Sequence, residues 1–175
     1  MIYIFLFFIA VILLILFSGF YLAKKILKPT RYTLNDVYES EYLINRFELN
    51  GKKNPRDYQL QFDSIKFYSK RKKKILLKGW FIPNKKKENT CIIFIHGIWS
   101  NRLKPMLYLS FIKKTDYSCL LFDLSASGES TGKHSTMGFH EKYDILGAID
   151  FLKKEYNIKN IILYAFSMGC ASALR

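Results

Sequence analysis

The run NIILYAFSMGCASAL (160–174) sets Ser167 between an apolar, strand-like stretch and a run of small and apolar residues suited to a helix. A serine on a sharp strand-to-helix turn is held with its hydroxyl exposed at the top of a sheet, and small residues two before and two after it let neighbouring backbone approach. Ala165 and Gly169 occupy those positions, with Ala165 standing where such elbows usually carry glycine. The chemistry this arrangement would do is nucleophilic attack on an acyl carbon. The tetrahedral intermediate of that reaction needs two fixed backbone N–H donors, one from the residue after the nucleophile and one from a loop after an earlier strand. FIHGIWSNR (94–102) offers such a loop, so Met168 and Ile98 are the expected donors. His96 and Gly97 are read as shaping that loop. A general base should come from a separate loop facing Ser167, so His96 is not assigned that role.

These groups need a sheet to hold them. From residue 91 the chain alternates short continuous apolar runs, CIIFI (91–95), SCLLF (118–122) and NIILY (160–164), with helical stretches, the pattern of strands buried on both faces of a parallel sheet. Helical spacing is expected over 104–114 and over 138–155, the latter with Tyr143, Leu146, Ile149 and Phe151 or Leu152 on one side. Strand, helix, strand, helix, strand is the rhythm of an α/β fold. Upstream, LQFDSIKFYS (60–69) and ILLKGWFIP (75–83) read as an antiparallel hairpin whose charged tip, 70–74, is a solvated turn. Residues 28–58 read as a linker leading into a short amphipathic piece around Val37, Leu43 and Phe47.

A third motif, LLFDLSASGESTG (120–132), ends a strand in Asp123 and enters a loop rich in glycine and serine. Taken with the elbow, the His-Gly loop, KGWFIP (78–83) and the TxGxxExxD-like run from Thr136 to Asp144, it closely resembles the α/β-hydrolase superfamily, above all its membrane-anchored serine-aminopeptidase-like or monoacylglycerol-lipase-like members. The likeness covers about residues 58–175. It departs from the family's D-x-R-G-x-G-x-S segment at Ser125 and Ala126. What it implies is a mostly parallel sheet with an N-terminal antiparallel hairpin, and a serine hydrolase acting on an ester, acylglycerol or peptide bond without metal or organic cofactor. It also implies a Ser, Asp/Glu, His triad in chain order, the acid and histidine following the elbow. Asp123, Asp144, Asp150, His134 and His140 all precede Ser167 and match neither position. The chain therefore reads as an N-terminal fragment, truncated after the elbow and inactive by itself.

Residues 1–23 carry no charge, and about 35 Å of helix at ~1.5 Å per residue is enough to cross a hydrocarbon core of ~30 Å. The expected organisation is a transmembrane anchor over 1–23, a basic linker over 24–57 and the hydrolase-like domain over 58–175. Lys24, Lys25, Lys28 and Arg31 follow the span and no basic residue precedes it, which by the positive-inside rule puts the domain in the cytoplasm. The formal net charge of +14 is uneven: 24–87 holds 18 Lys and Arg against 6 Asp and Glu, a net of +12. That excess raises an alternative, a non-catalytic tethered module that binds anionic lipid or a partner through 24–87. No nucleic-acid motif accompanies it. Cys91, Cys119 and Cys170 form no CxxC pair and sit in apolar runs, as buried structural thiols do.

Overall fold

A computed structural model describes residues 2–28, 30–71, 74–84 and 89–175. Lys72 and Lys73 of the expected hairpin tip, and the lysines of 85–87 in the basic segment, lie outside the described residues.

The apolar leader is a single helix, α1 (Ile2–Leu27), with mean hydropathy 2.9 and none of its residues buried. It runs four residues past the expected end at Ala23, because Lys24 and Lys25 sit in its last turn, where cations suit the negative end of the helix dipole. By length and composition it can cross a membrane.

Residues 30–58 are more than a linker. Thr33 caps α2 (Leu34–Glu39) through a reciprocal pair with Asp36, Ser40 caps α3 (Glu41–Phe47), and a 3₁₀ turn spans Pro55–Tyr58. Val37, Leu43 and Phe47 are buried, as their spacing predicts. They pack with Trp80, Ile82 and Phe94 on one face of the sheet.

That sheet has five strands: β1 (Asp63–Tyr68), β2 (Leu76–Ile82), β3 (Thr90–Ile95), β4 (Ser118–Phe122) and β5 (Asn160–Ala165), in the order β1-β2-β4-β3-β5. β1/β2 and β2/β4 are antiparallel, whereas β3 pairs in parallel with both β4 and β5. The hairpin and the three apolar runs are thus where the sequence puts them. Alternation sorts the side chains: Cys91, Ile93, Ile95, Leu120 and Phe122 face one core, and Ile92, Phe94, Cys119 and Leu121 face the other. A 3₁₀ turn (Lys104–Tyr108) running into α4 (Leu109–Ile112) covers the second face, and α5 (Lys142–Tyr156) and α6 (Met168–Ala173) cover the first.

The run 160–164 has the apolar pattern of a strand covered on both sides, but β5 stands at the sheet edge, so Ile162, Leu163 and Tyr164 are 41%, 37% and 44% exposed. One expectation is corrected. On α5 the core face is Asp144, Ile145, Ala148 and Leu152, leaving Leu146 exposed. The helix also starts at Lys142, not 138, because the Glu141 carboxylate accepts the N–H groups of Thr136 and Gly138 and bends 136–141 into a turn. Of the three thiols, Cys91 and Cys119 are buried and Cys170 half-buried, all unpaired.

Candidate active site

The ends of β3 and β5 are laced together, and this is what brings the two expected motifs into contact. Ile95 pairs with Ala165 at the top of the parallel register, and the Phe166 N–H continues the ladder to the Ile95 carbonyl at 3.0 Å. The chain then turns sharply through Ser167, at φ 49° and ψ −118°, into α6. A non-glycine residue in that region is strained by roughly 1–3 kcal/mol, and such strain persists only where the surroundings over-determine it. Here the surroundings are tight. A Cβ on Gly169 would lie 2.7 Å from the Ile95 carbonyl oxygen and 2.9 Å from that of His96, and a Cβ on Gly97 would lie 3.2 Å from Ser167 Cβ. Glycine at 169 is what lets the His-Gly loop rest against the turn, and a Cβ at 97 would press directly on Ser167. Ser167 itself is exposed, and Ala165 accepts the Cys170 thiol at 3.0 Å.

Met168 is the first residue of α6, so its N–H belongs to the turn of helix that no intrahelical carbonyl reaches. Ile98 follows Gly97 and is half-buried, packed against the core beneath the elbow. Each expected donor thus follows in the chain one member of the Gly97–Ser167 contact. Beside them opens a cleft of about 360 Å³, walled by Trp99, Tyr108 and Phe166 as well as by Gly97 and Ile98, with Arg46 of α3 at its edge. The aromatic wall was not legible in sequence, since it is assembled from three separate segments.

His96 is locked. Its Nε2 accepts the Leu124 N–H at 3.0 Å, so the ring proton resides on Nδ1 and donates to the Gly97 carbonyl at 2.7 Å. Both nitrogens are occupied in tying the loop after β3 to the loop after β4, and neither reaches toward Ser167. Burial pushes the His96 pKa down, outweighing the nearby Asp123 carboxylate. A histidine whose folded pKa lies below its unfolded value of about 6.5 binds fewer protons folded than unfolded between those two values. Its contribution is intact above pH 6.5 and is lost as the pH falls toward the folded pKa, with a limiting slope of about 1.4 kcal/mol per pH unit. Urea unfolding at a series of pH values should show this loss in the parent and lack it in a His96→Asn variant.

Asp123, read as no more than the end of a strand, holds the loops under the site. It is fully buried; Oδ1 accepts the Arg102 N–H and Oδ2 the Glu129 N–H, both at 2.8 Å. The Arg102 guanidinium lies 3.2 Å from Oδ2, pairs also with Glu129, and stacks 5.0 Å over Trp80. Sequence reasoning missed Arg102, which sits inside the quoted FIHGIWSNR motif but whose partner is 21 residues away. The departure at Ala126 has a geometric mark: φ there is 62°, so alanine occupies a left-handed position.

A second carboxylate supports the elbow from the other side. Burial pushes Glu141 up, yet the N–H groups of Thr136 and Gly138 and the Thr136 hydroxyl more than offset it and hold the carboxyl below its usual range. Glu141 also takes a 3.3 Å contact from the Ser135 hydroxyl, which in turn lies 3.3 Å from the Met168 sulfur. Asp144 accepts the Ser125 N–H at 2.8 Å and is pushed up by burial. His134 and His140 lie in this loop, outside the cleft walls. Among the described residues no group of three His, Cys, Asp or Glu side chains is placed to hold a metal ion.

Residues 90–175 match the family profile of the alpha/beta hydrolase fold. The chain is similar to a Pyrococcus furiosus esterase, Pf2001, at 27% identity over 85% of this chain and 52% of that one, with a TM-score of 0.66. It shares the fold of XC6422 from Xanthomonas campestris, a lidless α/β serine hydrolase, at 16% identity, covering 66% and 55% of the two chains with a TM-score of 0.52. It is also 31% identical over 99 residues to YqkD of Bacillus subtilis, covering 56% of this chain and 32% of that protein. The chain thus spans about half the length of the solved esterase and a third of the Bacillus protein. With the profile match, the esterase superposition and a five-stranded mixed sheet carrying a serine at the β5–α6 turn, this chain has the α/β-hydrolase fold.

Proposed function

We propose that this chain supplies the nucleophile and the oxyanion donors of a membrane-anchored serine hydrolase that cleaves carboxylic esters. The observation that carries the reading is the strained, exposed Ser167 at the end of β5, packed against Gly97. Its hydroxyl attacks the substrate carbonyl, and the N–H groups of Ile98 and Met168 hold the developing oxyanion. A base and an acid complete the triad. The histidines of this chain are not assigned that role: His96 has both nitrogens engaged, and His134 and His140 precede Ser167, where the family's chain order places neither triad partner. The esterase kinship favours an ester over a peptide bond, and the aromatic wall of Trp99, Tyr108 and Phe166 suits an apolar or aromatic group on one side of it. The helix α1 anchors the domain, with the basic residues after it on the cytoplasmic side.

The test is covalent. In membranes of cells that express the protein from its own gene, a fluorophosphonate probe is expected to label it, and Ser167→Ala is expected to remove the label. No labelling beside a control hydrolase labelled in the same tube would sink the serine mechanism.

A further inference from the structure

The end of α1 is fixed to the folded domain rather than tethered loosely to it. Leu27, its last residue, has a carbonyl that no later helical turn can satisfy, and the Ser135 N–H meets it at 3.0 Å. Four residues on, the Arg31 guanidinium donates to the Gly132 carbonyl at 2.9 Å. Both partners belong to the loop between β4 and α5. If α1 spans a bilayer, its uncharged length puts the water boundary near Lys24 to Lys28, so this loop lies against the headgroups.

What the loop presents there is unusual for a surface facing water. Met137 is 44% and Phe139 53% exposed. At ~3.8 Å between successive Cα atoms they lie within about 8 Å and 15 Å of Ser135, which is comparable with the ~5–7 Å headgroup layer and the first turn of chain beyond it. The Lys142 ammonium sits 5.4 Å over the Phe139 ring. Two shallow clefts of about 470 and 530 Å³ share Gly132, Lys133 and His134; Lys28 and Arg31 edge the larger, Arg71 and Lys74 the smaller, and among the described residues no acidic one lines either. Exposed apolar side chains ringed by cations, continuous with the end of an apolar helix, match an anionic bilayer surface in both polarity and charge.

We propose that the loop 132–139 is a second membrane contact: Met137 and Phe139 enter the interface, and Lys28, Arg31, Lys133 and their neighbours bind anionic headgroups. The contact rests on the reading of α1 as a membrane anchor. It goes beyond a flexible tether, because it fixes the orientation of the domain on the bilayer. It also holds the elbow close to the lipid, since Ser135 bridges Leu27 of the anchor to the Met168 sulfur beside Ser167. An ester dissolved in the bilayer would then reach Ser167 over a short path.

The test uses the full chain in vesicles of phosphatidylcholine with or without phosphatidylglycerol. Cys170→Ser leaves only the buried Cys91 and Cys119, so a nitrobenzoxadiazole probe placed by Met137→Cys reports this loop alone. On anionic vesicles the probe is expected to shift to the blue and to be quenched by lipids carrying a doxyl group near the headgroup. Lys133→Gln should weaken the docking equilibrium roughly fivefold, the effect of one interfacial cation. Vesicles that float the protein while the probe keeps its aqueous spectrum overturn the docking and leave the anchor standing. A protein that does not float with either vesicle overturns the anchor, and the docking with it.

Discussion

The Ser167→Gly protein is expected to be inactive and more stable than its parent. Removing the nucleophile of a serine hydrolase lowers kcat on the order of 10⁶-fold, because the remaining oxyanion donors stabilise a transition state that no longer has its attacking group. The gain in stability comes from the backbone. Ser167 is held at φ 49° and ψ −118°, a conformation costing a residue with a Cβ roughly 1–3 kcal/mol, and glycine adopts it freely. Part of that gain is offset by the greater freedom of glycine in the unfolded chain, about 0.4–1 kcal/mol, so a net rise of about 1 kcal/mol is expected. Ser167→Ala separates the two effects. It removes the hydroxyl but keeps the Cβ, so it should be as inactive as the glycine variant and no more stable than the parent. Ester turnover and urea midpoints of the three proteins, each expressed from the protein's own gene and compared side by side, decide the matter. Equal midpoints for the glycine and alanine variants would mean that the elbow stores no more strain than the ~0.4–1 kcal/mol that glycine loses to unfolded-chain freedom.

Asp123→Ala should have the largest effect on folding. The carboxylate is fully buried, accepts two backbone N–H groups and faces a guanidinium that is itself 3% exposed. Truncating it leaves both N–H donors without their acceptor in the interior and that buried charge with only the half-exposed Glu129 as partner, and breaking a buried pair from one side costs about 3–5 kcal/mol. That is a large part of the stability of a domain this size. Glu129, the other partner of Arg102, is 37% exposed at its side chain, so Glu129→Ala should cost less than about 1 kcal/mol. The comparison by chemical denaturation isolates burial as the cause. Similar losses in both variants would place the stability of the loops elsewhere, in the His96 bridge to Leu124 or the Glu141 turn.

The α/β architecture was legible in sequence because its signals are local. A strand buried on both faces must be apolar without interruption, and 91–95 and 118–122 announce themselves in that way; the apolar run 160–164 announces a strand as well, here at the sheet edge. The β5–α6 turn was legible for the same reason: small residues two before and two after a serine, between a strand and a helix, are a pattern that close backbone approach demands, and Gly169 against the Ile95 and His96 carbonyls is the contact it serves. Val37, Leu43 and Phe47 also gave their buried face away by spacing alone.

What sequence could not decide is which surfaces meet. Periodicity placed Leu146 in the core, yet α5 turns Asp144 inward to accept the Ser125 N–H, a preference set by a loop 19 residues away. The 30–58 segment carried too few apolar residues to announce that it covers a sheet face, and only its packing on Trp80 and Phe94 makes it part of the core. Arg102 and Asp123, like the aromatic wall of Trp99, Tyr108 and Phe166, come from segments that no local rule connects. The sequence by itself determined the strands, the serine-bearing turn and the apolar helix, since each follows from short-range sterics and hydrophobicity. Only the tertiary structure decided the locked tautomer of His96, the clamp on Asp123 and the docking of the α1 end on Ser135, because each depends on polar groups distant in the chain that folding leaves with no other partner.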